Sequence, residues 1–193
     1  MLCLSLIWAA GEARAGAPTE AVRSIVDEVV RILSNANLEN PSERRQVRRR
    51  VKAVVDRRFD YAEMAQRSLG PTWNKLSASQ RQEFTELFAE LLEASYSDKI
   101  EKYSGETVSY VGENQDGKYA EVRTMLVRRN DRIPINYKLI DKSNWVIYDV
   151  VIEGVSQVNN YRSQFRRMLS QGSYADLVQR LRTRVNELRH TSS

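Results

Sequence analysis

The feature that most constrains this chain is a change of hydrophobic period near Tyr103. Before it, apolar residues recur every three or four positions, the spacing of one face of an α-helix; after it, through Glu153, they alternate as in a half-buried strand. Val22, Ile25, Val26, Val29, Val30 and Leu33 predict a helix over about Thr19–Ser34. After the connection NANLENP, Ser42 is placed to cap a second helix with the narrow stripe Val47, Val51, Val54 and Val55. Asp60, with Glu63 three residues on, opens a short third helix that Gly70 ends. SASQ (Ser77–Gln80) is a capping box. It opens a helix to about Lys102, ~37 Å long at 1.5 Å per residue, with the stripe Phe84, Leu87, Phe88, Leu91, Leu92, Tyr96 and Ile100.

Beyond the change, four segments rich in Val, Ile, Tyr and Thr read as strands: Thr107–Glu113, Tyr119–Arg128, Ile133–Asp141 and Trp145–Glu153. NQDGK, RND and KSN between them are hairpin turns. Gly154 stops the meander, and two helices, about Asn159–Ser170 and Tyr174–Leu188, close the chain. Helices on either side of one contiguous four-stranded antiparallel sheet make the fold class α+β.

The N-terminus reads differently. Leu2–Ala10 is a short apolar run followed by ARA, small residues where a signal peptidase reads them, so residues 1–15 are expected to be a secretory signal cleaved before Gly16. No Lys or Arg precedes the run, and the competing reading is a disordered or mis-started N-terminus. Residues 16–193 are then one domain of suitable length. Cys3 lies inside the signal, so the mature chain has neither disulfides nor cysteine metal ligands. An exported, cysteine-free chain fits a bacterial periplasm.

Catalytic groups are scarce. His190, the only histidine, is the fourth residue from the end. Ser156, in EGVSQ, lacks the glycine that follows the serine of a nucleophile elbow and reads as a cap or turn residue. Asp149 and Glu153 share one strand, roughly 13 Å apart and too far for a glycosidase pair. The glycines are isolated, so there is no phosphate-cradling loop. No enzyme, metal or cofactor is expected. The strongest charge feature is RRQVRRRVK. It lacks the aromatic interleaving of single-strand nucleic-acid binders. Arg44, Arg45, Arg48, Arg49, Arg50 and Lys52 therefore read either as a solvated helix face or as a docking face for an acidic partner or anionic membrane.

The last strand is apolar on both faces if it alternates strictly: Trp145, Ile147 and Val151 on one, Val146, Tyr148, Val150 and Ile152 on the other. Both faces of the sheet should then be at least partly covered, one by the helix carrying Tyr161, Phe165, Met168 and Leu169, the other by the long helix. Such a layer is either a filled core, which composition favours, or a pocket for an apolar ligand.

Three motifs carry a resemblance. They are FDYAEMAQRSLGPTW (Phe59–Trp73), Q-x3-F-x3-F-x2-LL-x3-Y from Gln80 to Tyr96, and W-x-I-Y-D-V-x-I-E-G-V-S-x-V-x-N-Y-R-x-Q-F from Trp145 to Phe165. Over about Ile25–Leu181 the chain resembles the MlaC family, the toluene-tolerance, periplasmic phospholipid carriers of Gram-negative bacteria. Gln157 stands where an apolar residue would be expected. The resemblance implies helices around a twisted four-stranded sheet, with acyl tails in an apolar cavity and the headgroup near solvent. It implies a monomer that shuttles phospholipid, its transported ligand, between an outer-membrane lipoprotein–porin complex and an inner-membrane ABC transporter with MCE-domain subunits, maintaining outer-membrane lipid asymmetry. The expected lining is Val122, Met125, Tyr137, Leu139, Tyr148, Val150 and Ile152 from the sheet. The helices are expected to add Phe84, Phe88, Leu91, Leu92, Tyr161 and Phe165. The corner holding Asp149, Glu153, Asn160 and Arg162 is either a lipid contact or a structural turn with internally satisfied polar groups. The alternative for the whole chain is a ligand-free periplasmic interaction module with a filled core.

Overall fold

Helix gives way to sheet where the period changes. The computed structural model describes residues 16–129 and 131–191, without the side chains of 98–101 and 191. The expected signal, and the side chain of Ile100 in the long stripe, lie outside what is described. Helices α1 (Ala17–Ser34), α2 (Pro41–Val55), α3 (Tyr61–Leu69) and α4 (Ala78–Glu101) precede the sheet, and α5 (Gln157–Gln171) and α6 (Tyr174–Thr191) follow it. The strands are β1 (Thr107–Asp116), β2 (Tyr119–Arg128), β3 (Asp131–Asp141), β4 (Trp145–Ile152) and β5 (Val155–Ser156), antiparallel and in chain order. Among the described residues no helix is long and apolar enough to cross a membrane.

Local chemistry sets the boundaries. Ser77 and Gln80 bond reciprocally as a capping box, and Asp60 Oδ1 accepts from the Glu63 N–H. The cap of α2 is Asn40, which accepts from the N–H groups of Ser42 and Glu43, rather than Ser42; Pro41, with no N–H to offer, takes the first helical position. The fifth strand was not expected. Glu153 (φ 50°) and Gly154 (φ 82°) both take left-handed backbone, as a two-residue hairpin of type I′ requires. The chain therefore turns back, and Val155 and Ser156 pair with Ile152 and Val151 before α5 begins. Ser156 then caps α5, its Oγ accepting from the Asn159 N–H.

Glu113 of β1 caps α1 from a distance of 94 residues in sequence, accepting from both the N–H and the hydroxyl of Thr19 at 2.8 and 2.6 Å. Gly16 makes room, because a Cβ there would lie 2.1 Å from Glu113 Oε1. Glu113→Ala should lower stability by ~1 kcal/mol, the usual value of a lost cap, read as a lower denaturant midpoint at unchanged slope.

Two hydrophobic clusters form. The first joins α1 and α2 to the sheet through Val22, Ile25, Val47, Val122, Leu139 and Ile147. The second belongs to α3–α6 and centres on Met64, Phe84, Phe88, Phe165 and Leu177. The sheet is thus covered closely by α1 on one face, and α5 packs on β4 as expected; the long α4 packs on α3 and α6 and faces the sheet only across a gap. At the free edge of β4, Phe59 forms a parallel bridge to Ile147 and packs against both clusters.

Lys142, in the turn after β3, holds α3 to the sheet through Asp60 and Glu63, each at 2.8 Å. Burial alone would push the Glu63 carboxyl up, but hydrogen bonds and charge from Lys142 and Arg67 outweigh it and hold it below the ordinary value. A folded pKa below the unfolded one gives stability that is complete above the unfolded value of about 4.3 and is lost as pH falls through the folded value. Thermal midpoints should therefore drop on acidification through that range, and Glu63→Gln should flatten part of the drop.

Candidate functional site

The gap between α4 and the sheet is a cavity of about 540 Å³. Volume does not single it out, since three other hollows measure about 490, 540 and 560 Å³. Its lining does, because apolar side chains from both clusters form most of its wall. Val51, Val55 and Phe59 enter from α2 and the segment after it, Tyr61 and Met64 from α3, and Leu92, Ala94 and Tyr96 from α4. Ile135 and Tyr137 of β3 face Ile152 and Val150 of β4 in register, so the four side chains form one patch on the floor. Burial pushes the hydroxyl pKa of Tyr96 and of Tyr137 up to about 12 and raises that of Tyr61 as well, where Asp56 adds to the effect. These tyrosines stay neutral at any ordinary pH, and the interior carries no charge from them.

Charged residues complete the lining. Arg48 and Lys52, one turn apart on α2, and Arg189 of α6 border the cavity together with Glu93. Lys52 pairs with Asp56, and Arg189 Nη2 lies 3.1 Å from Glu90 Oε2. Lys52 and Arg189 lay their methylene stems along apolar surface and keep their heads in water, whereas Arg48 is half-buried with its Nε shut off from solvent.

Of the residues expected to line a slot, the structure brings Leu92, Tyr137, Val150 and Ile152 together. Val122 and Leu139 share the face of Tyr137 but lie sealed in the first cluster with the residues of α1. Met125 pairs with Pro134 on the opposite face. Phe84, Phe88 and Phe165 form a fully buried aromatic cluster inside the helical half. Leu91 and Tyr161 border a separate groove between α4, α5 and α6. Tyr148 is displaced by a β-bulge. The register passes from Lys138↔Asp149 to Leu139↔Ile147, so β4 has one residue more than β3 at that point. Strict alternation fails there. Tyr148 and Asp149 both turn away from the cavity, while Ile147 joins Val150 on the cavity side.

The basic helix divides. Arg45, Arg49 and Arg50 are exposed and Arg44 is half-buried, whereas Arg48 and Lys52 belong to the cavity rim. Sequence reasoning missed Val51, Val55, Tyr96 and Ile135 as lining. The first three were visible as helix stripes but read as core; the facing of Ile135 follows only from register. Gln157 sits on the cavity wall. At the corner, Asp149 is buried and accepts from Ser156 Oγ at 2.6 Å and the Val158 N–H at 3.0 Å, an internally satisfied turn.

The fold has a solved counterpart. A structure of the phospholipid-binding protein from Ralstonia solanacearum in complex with a phospholipid superposes with a TM-score of 0.77. It is 25% identical and covers 91% of this chain and 99% of its own. An intermembrane phospholipid transport system binding protein MlaC from Haemophilus influenzae is 25% identical over 126 residues. That match takes in 62% of this chain and 59% of the relative's length. The family model described as MlaC protein matches residues 23–183, from within α1 to within α6. With that span and a shared fold, the chain belongs to the MlaC family.

Proposed function

We propose that this protein is a phospholipid carrier whose cavity between α2, α4 and the floor of β3 and β4 holds acyl chain. The single observation that carries the reading is an apolar cavity of about 540 Å³, rimmed by cations, where the fold could have packed solid. It falls within the ~300–1,000 Å³ range of small-molecule sites, whereas a filled core leaves few voids larger than a water. The phospholipid named for the Ralstonia protein supports the same reading. A sixteen-carbon chain gains roughly 12 kcal/mol on leaving water, at about 0.8 kcal/mol per methylene. A two-tailed lipid therefore does not cross water unaided, and a carrier needs an apolar slot rather than a nucleophile. With the acyl chain inside, the headgroup phosphate lies at the rim near Arg48, Lys52 and Arg189.

Export to the periplasm follows from the apolar run and ARA of residues 2–15. There the protein acts as a monomer between an outer-membrane lipoprotein–porin complex and an inner-membrane ABC transporter carrying MCE domains. The deciding experiment is native mass spectrometry and organic extraction of purified protein. Co-purifying phospholipid is expected, with no hydrolysis of it. Protein that is repeatedly lipid-free and takes up no lipid from vesicles would return the ligand-free module to first place.

The exposed part of the basic helix is proposed to steer docking, since exposed charge speeds encounter without adding much affinity. Arg45→Glu with Arg49→Glu should slow transfer to anionic acceptor vesicles and flatten its salt dependence, with bound lipid unchanged. Equal transfer rates would make this helix face a solvated surface only.

A further inference from the structure

The β4 bulge opens a second, polar pocket of about 490 Å³ on the side of the sheet away from the cavity, between α3, α5 and the β3–β4 floor. Three cations border it: Arg67 of α3, Lys138 of β3 and Arg162 of α5. Arg67 is committed, its Nε bonded to Glu63 Oε1 at 2.8 Å and its guanidinium 4.2 Å above the Tyr148 ring. Lys138 and Arg162 make no ion pair among the described residues. The guanidinium of Arg162 lies against Gly70, with Nε 3.5 Å from where a Cβ would stand, and Gly70 has φ +57°. Any other residue there would be strained by that backbone, although its Cβ would meet the arginine only at van der Waals distance. The one carboxylate in the wall, Asp149, is 4% exposed and spends both oxygens on Ser156 and the Val158 N–H. Lys138 and Arg162 thus bring two positive charges without an ion pair to a wall whose carboxylate, Asp149, is hydrogen-bonded but still charged, with Glu121 across from Lys138 in register.

We infer that this pocket receives a carboxylate from an acidic peptide segment of a partner protein. The guanidinium fork matches a carboxylate, and a neighbouring ammonium adds charge without demanding a geometry. Gln66, Asn74 and Asn159 offer both donors and acceptors, which suits the amide backbone of a peptide. A bilayer surface is flat and does not enter a hollow between two helices. A free phosphate lacks the alternating amide donors and acceptors that a peptide backbone would bring to Gln66, Asn74 and Asn159. If the carrier reading holds, a partner gripping this side leaves the lipid cavity, across the sheet, uncovered.

The test measures fluorescence anisotropy of a fluorescein-labelled hexaglutamate peptide with the full chain. Lys138→Gln with Arg162→Gln should weaken binding about tenfold or more, the scale of losing charge-assisted contacts. Arg132→Gln with Arg180→Gln, two exposed arginines outside both this pocket and the basic helix, removes the same charge elsewhere and should change it less than about threefold. Asn74→Trp, which fills the pocket without altering charge, should also weaken binding. Inorganic phosphate at matched ionic strength should not displace the peptide, and adsorption to phosphatidylglycerol vesicles should not depend on the pocket pair. Absence of wild-type binding, equal weakening by both arginine-containing pairs, or displacement by phosphate overturns the assignment. Circular dichroism confirms folding of each variant. Lipid content by native mass spectrometry should be the same in all of them. A lipid-free wild type would remove the carrier reading and leave the peptide result standing, and the converse holds equally.

Discussion

Ile152→Asp should reduce co-purified phospholipid to less than about a tenth of the wild-type amount while the protein still folds. Ile152 is half-buried, it lines the cavity, and it sits directly across from Ile135. Without lipid, a carboxylate there meets the water of an open cavity, so its effect on folding is small. With acyl chain in place the same carboxylate is stripped of water and has no partner, at several kcal/mol by the protein mutational scale for buried polar groups and more for a charge. Each displaced methylene contact forfeits about 0.8 kcal/mol besides. Met125→Asp is the matched control, since Met125 occupies the opposite face of the same sheet, and lipid content should not change. Unaltered occupancy in Ile152→Asp, with circular dichroism showing a native fold, would move the acyl site elsewhere.

Phe165→Ala should behave in the opposite way: a large loss of stability and little loss of lipid per folded molecule. Phe165 is 1% exposed and meets the rings of Phe84 and Phe88 edge-on at 5.6 and 5.7 Å. Truncating a buried phenylalanine costs about 3–5 kcal/mol, which for a chain of this size lowers the melting temperature by roughly 6–20 °C. None of the three rings borders the cavity. Protein purified at low temperature should therefore still carry phospholipid. If Phe165→Ala emptied the protein without destabilising it, the aromatic cluster would be part of the lipid site after all. Together the two variants separate residues that fill space from residues that enclose it, a distinction hydrophobicity alone does not make.

Helices, strands and most caps were legible because their causes are local. The stripe of α4, the Ser77–Gln80 box and the Asp60 cap depend on residues within a few positions of one another, and they stand where the spacing puts them. The α+β class followed from the order of the periods. The family was legible for a related reason: long ungapped motifs such as the run from Trp145 to Phe165 persist where strand, turn and helix must meet in one way.

The cavity wall was not legible, and the reasons are specific. A stripe such as Val51 and Val55 records that a helix face is apolar, not whether a side chain or a void lies opposite it. The bulge at Tyr148 and Asp149 depends on how β4 meets β3, and that one extra residue reverses the facing of every position before it. Arg48 and Lys52 sit in the same run as Arg45 and Arg49, and only the approach of α4 and α6 makes a rim of the first two and open surface of the others. Sequence alone determined which segments are helix or strand and which faces avoid water, because propensity, capping and period act over a few residues. Only the tertiary structure decided where two apolar faces close on each other and where they stay apart, because that depends on register and on helices brought together from distant parts of the chain.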